Sequence, residues 1–376
     1  MTVLALAGVS ARLMAEAAAR DGFEVIALDL FGDVDTCRVA SRWFPIGAPG
    51  AMHIAAEPVL AALAMLARRG DVVGWVAGGG FEGQPELLEE GAALLPLIGT
   101  APDAIRRVRD PALFFEFLGD CAIQHPAVQL AAPAPADGEG WLLKNSRGCG
   151  GWHIRRAAAH RHEPLPLHHY LQREAAGVPM SATFVANGRD AVVLGCNQLT
   201  VRAFGTRPHV YCGAIGPVPV AAEVGAQVGR IVRALAEAFT LKGLCSLDFL
   251  LDGSALSVLE VNPRPPASMA LYGGQALMTA HWFACTEGRL PEPPPPPARV
   301  EGIEIIFAKR SMRLDDLAAR CLADWPHAHD LPCTASRFVP GDPVCSLSAS
   351  GIDAADVQMH LNDRRKALAA TLERFS

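Results

Sequence analysis

The segment LCSLDFLLDGSALSVLEVNPRP (244–265) constrains this chain more than any other stretch. Two apolar-rich runs flank Asp252-Gly253-Ser254, residue types that suit a tight turn, so the segment reads as a β-hairpin. Side chains alternate across a strand, which puts Glu260 and Asn262 on one face. The turn folds Asp248 back opposite them, with Leu247, Phe249, Leu259 and Val261 as the apolar partners on the other face. Three hard oxygen donors converging from paired strands suit Mg²⁺, or Mn²⁺ in its place, and leave coordination positions for water and phosphate. Taken alone, the pattern also fits an exposed hairpin whose Asn-Pro step simply ends a strand.

A second candidate site lies upstream. In WLLKNSRGCGGWHIRRA (141–157), Lys144 ends a β-type run just before a glycine-rich turn, where backbone N–H groups can approach phosphate oxygens unobstructed. An ordinary hairpin with a loose turn reads the same way. No Gly-Lys-Ser/Thr occurs, which argues against a P-loop.

The chain opens with VLALAG (3–8), a buried parallel strand by its unbroken apolar character, then ARLMAEAAARDG, a helix that Ser10 could cap and Gly22 could end. EVIALDLF (24–31) is a second strand, followed by the polar turn GDVDT. An alanine-rich helix (55–68) and DVVGWVAGGGFE continue the βαβ pattern. A helix-rich connector over 101–130 contains RRVRDPALFFEFL. YLQREAAG (170–177) is extended, the NGR turn in SATFVANGRDAVVLGCNQ joins two strands, and 221–241 is a long helix. PEPPPPP (291–297), with six prolines in seven residues, excludes helix and central strand and reads as a stiff spacer. Strand-like EIIFAKR and GDPVCSLSAS and a terminal helix follow. No internal repeat is visible.

The length of 376 residues exceeds one compact core. With 51% hydrophobic and 19% charged residues the chain is globular, and a net charge of −6 gives no footprint for nucleic acid or an anionic membrane. The run Val3 to Gly8 is too short for a signal sequence and lacks a basic lead, and no stretch has the length of a membrane span, so a cytoplasmic protein is expected. The ten cysteines include no CxxC pair and the histidines, His168-His169 included, show no zinc spacing. Cys149 sits in the glycine loop, where local positive potential lowers a thiol's pKa unless it is merely a small filler.

The order of these motifs resembles the ATP-grasp superfamily: a lysine strand with a glycine loop, an extended Gln-Arg-Glu segment, then the Asp…Glu-x-Asn-Pro-Arg hairpin, over about residues 1–300. The resemblance implies an α/β and α+β chain, with a Rossmann-like pre-ATP-grasp domain (1–105), a small lobe with the phosphate flap (106–175), a large lobe with the metal site (176–290), a linker (291–299) and an α+β C-terminal segment (300–376). It implies ATP contacts from Lys144, a flap of Gly148, Gly150 and Gly151, and a hinge of Gln172, Arg173, Glu174 and Ala175 reading adenine. It implies Mg²⁺ held by Asp248, Glu260 and Asn262, and Arg264 meeting the transferred phosphoryl group or the substrate carboxylate. Two departures stand out. The connector's usual Asp-Lys step is Asp110-Pro111, with Arg106, Arg107 and Arg109 as substitutes, and the ribose carboxylate expected near 179–180 is replaced by Pro179-Met180.

Within the superfamily, ALDLFGDVDT (27–36), GGGFEGQPELL (78–88), RVRDP (107–111) and PGDPVCSLSASG (340–351) resemble a branch related to tyramine–glutamate ligases of methanofuran and tetrahydromethanopterin-linked cofactor synthesis. Phe81-Glu82 then line the substrate end of the cleft, unless Glu82 serves the helix start at PELLEE. The expected activity is a carboxylate–amine ligase acting on small molecules through an acylphosphate. The alternatives are a biotin- or purine-type ATP-grasp carboxylase, for which no bicarbonate or biotin site is legible, and a nucleotide-binding regulator without turnover. A homodimer is compatible with the sequence.

Overall fold

The computed structural model describes residues 2–47, 52–131, 139–160, 164–295 and 298–372. The chain begins with β1 (Val3–Ala7), α1 (Arg12–Arg20), β2 (Glu24–Asp29), α2 (Val34–Val39), β3 (Arg42–Pro45), α3 (Ala56–Arg69), β4 (Val72–Ala77) and α4 (Pro85–Leu94). All five residues of β1 are buried, as the middle of a parallel sheet covered on both faces requires. The sheet order is β3-β2-β1-β4, all parallel. Leu63, Leu66 and Leu88 pack on one face with Ile26 and Trp75, and Met14, Ala15 and Ala18 of α1 cover the other. Gly22 ends α1 at φ 86°, as its position suggests.

Two local expectations fail here. Ser10 does not cap α1; the buried Asp29 takes the Ala11 N–H at 3.0 Å, while Ser10 turns to Asp330. GDVDT is not a loose polar turn but the start of α2, because Asp33 and Asp35 find a buried niche against the C-terminal segment.

The connector forms α5 (Pro102–Val108) and α6 (Pro111–Asp120). Asp110 caps α6 by accepting from the N–H groups of Ala112 and Leu113 at 2.8 and 3.2 Å, with Pro111 in the first turn. The small lobe is a four-stranded antiparallel sheet of β5 (Val128–Gln129), β6 (Trp141–Asn145), β7 (Arg155–Arg156) and β8 (His169–Arg173) in the order β5-β8-β6-β7.

The large lobe contributes β9 (Val178–Asn187), β10 (Ala191–Phe204), β11 (Arg207–Val218), α7 (Ala222–Ala238), β12 (Lys242–Asp252), β13 (Ala255–Asn262) and α8 (Leu277–Thr286). The C-terminal segment adds β14 (Val300–Phe307), β15 (Met312–Arg313), α9 (Asp316–Ala323), β16 (Ala328–His329), β17 (Arg337–Phe338), β18 (Pro343–Gly351) and α10 (Ala354–Leu372). One eight-stranded sheet unites them in the order β13-β12-β9-β10-β11-β14-β18-β16. The proline-rich run, of which 296–297 lie outside the described residues, therefore punctuates the chain without interrupting the sheet. On one face Val228, Val232 and Leu235 of α7 meet Phe184 and Phe249. The other face carries a buried polar row of Ser181, Thr183, Asn197, Ser246 and Asn262, and this face borders the cleft.

All ten cysteines are free. Among the described residues no helix is long and apolar enough to cross a membrane.

Candidate functional site

Strands β12 and β13 pair with Asp248 directly opposite Glu260. The register slips between Asp248 and Phe249, so Val258 rather than Leu259 enters the core, and Leu259 is only partly buried. The bulge also brings the three oxygen-bearing side chains together: the Asn262 amide donates to Asp248 Oδ2 at 3.2 Å and to Ser246 Oγ at 3.3 Å. Burial opposes the charge on Glu260, but Arg109, Lys144 and His153 outweigh it and hold the carboxyl well below the usual range. Burial, then the charge of Glu260, push the Asp248 carboxyl up. Two carboxylates side by side with little water repel each other, a cost that a cation between them removes.

Lys144 lies on β6 and Gln172 on β8, diagonal neighbours because Leu142 pairs with Gln172. The ammonium is buried and donates to Gln172 Oε1 at 3.1 Å. Gln172 Nε2 is buried without any partner. The rest of the hinge differs from expectation. Arg173 is exposed and stacks over Trp141, and its N–H and that of Glu174 donate to Ala127 O and Gly140 O at 2.8 and 2.7 Å. Those two donors are not available to an adenine edge. The Glu174 carboxylate accepts from Arg156 at 2.8 Å and bonds His209 Nε2 at 3.0 Å.

The glycine loop after β6 folds onto β11. Gly150 O accepts from the Tyr211 N–H at 3.0 Å. A Cβ on Gly151 would stand 1.8 Å from His209 O, and the residue adopts φ 78°, so only glycine allows this approach. At Gly148 a Cβ would meet the His153 ring at 2.3 Å. Burial, then the charge of Glu82, push the Cys149 thiol up to about 12 despite the nearby arginines, so the loop does not activate it.

Of the three connector arginines, the fold selects one. Arg106 pairs with Glu89 at 2.6 Å and Arg107 donates to Ala238 O, both at the surface. Arg109 is partly buried and turned inward: it donates to Glu260 Oε2 at 3.2 Å, to Ser146 O at 3.1 and 2.8 Å and to Gly148 O at 2.8 Å. One guanidinium thus ties the loop to the metal-type carboxylate, a task that suits five donors in a rigid fork. The Asp-Pro step beside it is occupied by capping α6.

Arg264, just past β13, donates to Glu82 Oε1 at 2.6 Å and to Asn262 Oδ1 at 3.3 Å. Glu82 lies outside α4 and accepts the Gly80 N–H at 2.7 Å, which settles it as a cleft residue rather than a helix-start carboxylate. Burial opposes its charge, yet Arg264 and Arg109 hold the carboxyl below its ordinary range. Pro179 and Met180 belong to β9, with Met180 in the core and neither offering a carboxylate for a ribose.

A parallel N-terminal domain, a small antiparallel lobe and a large lobe closing on a lysine, a glycine loop and paired carboxylates make this an ATP-grasp fold. Residues 108–268 match the family model described as an ATP-grasp domain. The chain is 26% identical over 194 residues to the carbamoyl phosphate synthase large chain of Halomonas eurihalina, covering 46% of this chain and 18% of that protein. It is 24% identical over 189 residues to the C-terminal section of the same enzyme from Aquifex aeolicus, 45% of this chain and 34% of that one. The chain thus spans only a fifth to a third of the length of these relatives. Among solved structures, an L-amino acid ligase from Bacillus licheniformis superposes with a TM-score of 0.70 at 14% identity over 97% of both chains. N5-carboxyaminoimidazole ribonucleotide synthetase from Thermotoga maritima gives 0.66 at 14% identity, over 97% of this chain and 98% of that one.

Proposed function

We propose that this chain joins a carboxylate to an amine using MgATP. The carboxylate oxygen attacks the γ-phosphorus, the bond to the ADP oxygen breaks, and an acylphosphate forms. The amine then attacks the acyl carbon, phosphate departs with the C–O bonding pair, and the amine proton passes to solvent. The products are amide, ADP and phosphate.

One observation carries this reading. Three cations from three parts of the chain, the buried Lys144 and the partly buried Arg109 and Arg264, surround the Asp248–Glu260 pair. Phosphoryl transfer asks a protein mainly for positioning and charge neutralisation, and this arrangement supplies both. Lys144 meets the α and β phosphates, and the Gly148–Gly151 loop covers them and excludes water. The unpartnered Gln172 Nε2 fits an acceptor on the adenine edge. Asp248, Glu260 and the free lone pair of Asn262 Oδ1 form a hard oxygen set fit for Mg²⁺, whose chemistry when bound is to neutralise the β and γ phosphates. Arg264, aimed by Glu82, faces the acid.

For the acid and amine we propose glutamate and an aromatic or furan amine of one-carbon cofactor synthesis. Of the four segments behind this, GGGFEGQPELL and RVRDP place Glu82 and Arg109 in the cleft. ALDLFGDVDT and PGDPVCSLSASG pack where the N-terminal domain meets the C-terminal segment and bear on architecture instead.

ADP release with MgATP, L-glutamate or pooled L-amino acids, and tyramine or pooled amines tests the proposal. Release that needs both acid and amine supports it. Release dependent on bicarbonate alone assigns a carboxylase, and tight ATP binding with no turnover assigns a regulator.

A further inference from the structure

Tyr211 stands where the glycine loop lands on β11, its N–H bonded to Gly150 O. Two residues earlier His209 reaches Glu174 of the hinge, so this stretch of β11 runs from the hinge toward the paired carboxylates. The Tyr211 hydroxyl lies at the far end, buried, and makes no hydrogen bond. Burial first, then the charge of Asp248, raise its pKa, while Arg264 pulls the other way; the phenol keeps its proton at neutral pH and feels the charge of both groups.

A buried hydroxyl without a partner forfeits its hydration for nothing, and native proteins keep few of them. No protein acceptor among the described residues bonds it: Asp248 Oδ2 takes the Asn262 amide, Glu82 takes Arg264 and the Gly80 N–H, and none of these carboxylate oxygens comes within hydrogen-bond reach of the phenol. At the nucleotide end, Lys144 and Arg109 already serve Gln172, Glu260 and the loop carbonyls. At the Arg264 end of the cleft, whose charge reaches this hydroxyl, a small anion brings its own oxygen acceptors.

We propose that the Tyr211 hydroxyl donates a hydrogen bond to an anionic oxygen of the acid under activation, alongside Arg264, as carboxylate before phosphoryl transfer and as acylphosphate after it. This assignment rests on the ligase reading and deepens it. A neutral donor buried beside an arginine grips an anion without adding a second fixed charge, and its loss weakens the anion while leaving the nucleotide untouched.

Tyr211→Phe tests it with acetyl phosphate as the probe, titrated calorimetrically onto the MgADP complex. The variant should bind acetyl phosphate about tenfold more weakly than the wild type, the loss expected for a hydrogen bond to a charged oxygen. MgADP affinity should be unchanged and the melting temperature equal or higher, since the mutation removes an unsatisfied group. Equal acetyl phosphate affinity in both proteins, or no binding by the wild type, overturns the proposal. So does a parallel loss of MgADP affinity and melting temperature, the mark of a structural role. Acid- and amine-dependent turnover is a separate measurement: its failure beside a tenfold acetyl phosphate effect removes the amide chemistry and leaves the anion contact standing.

Discussion

Two arginine–carboxylate clusters, one buried around Arg12 and one partly buried around Arg109 and Arg264, join the N-terminal domain to the rest of the molecule, and they are completed differently. Around Arg12 the donors are spent internally: Nε and Nη2 go to Asp330 at 2.6 and 3.1 Å and Nη1 to Glu16 at 2.9 Å. Asp35 accepts the N–H groups of Asp330 and Leu331, and Glu16, Asp35 and His329 come within 4.8 Å of one another with the guanidinium as their cation. Burial, then Asp330, push Asp33 up to about 9, so it stays neutral there. Around Arg109 and Arg264 the geometry is left open. Asp248 and Glu260 stand together, and Gln172 Nε2 and the Tyr211 hydroxyl lack partners. A cluster that satisfies itself holds domains together; one that leaves matched donors and like charges exposed to a cleft is built for something that arrives.

The sharpest way to break this contrast is Glu260→Gln. If the open cluster is the active centre, turnover in the ADP assay falls by about 10³-fold or more, with the melting temperature nearly intact. A variant that unfolds instead would move this cluster into the structural class. Arg12→Met should do the reverse, costing about 3–5 kcal/mol in chemical denaturation by stranding buried carboxylates, while the folded fraction keeps its kcat.

Arg109→Lys keeps the charge but loses the fork that spans Glu260, Ser146 and Gly148. A fall of about 10–100-fold in kcat/KM is expected, and wild-type kinetics would reduce Arg109 to a point charge. A separate effect concerns pH. Asp33 has its ordinary pKa of 3.8 raised to about 9 in the fold, so above pH 4 the unfolded chain has released a proton that the native state still holds. Stability therefore declines as pH climbs from about 4 to about 9. Asp33→Asn should flatten that decline, melting higher than the wild type at pH 8 and equally at pH 4; parallel curves would show that Asp33 is ionised in the native state.

Much of the candidate site was legible because it is local. Period-two alternation and a turn bring Asp248, Glu260 and Asn262 together within one hairpin, and Lys144 with its glycine loop is a contiguous motif. Even there the bulge after Asp248 exchanged Leu259 for Val258 in the core, since alternation assumes a regular register. The hinge was half legible: Gln172 faces inward as alternation along β8 allows, but which backbone donors are already spent depends on Ala127 and Gly140, loop residues outside β8.

What the sequence determined by itself was therefore the set of elements whose chemistry is written in neighbouring residues: the α/β opening, the glycine loop and the metal-type hairpin. Tertiary structure alone decided which of Arg106, Arg107 and Arg109 enters the cleft, that Glu82 pairs with Arg264 across 182 positions, and that Arg12 meets Asp330 across 318. Charges so far apart in the chain leave no periodic trace, because only packing of whole domains sets their distance and strips away the water that would otherwise screen them.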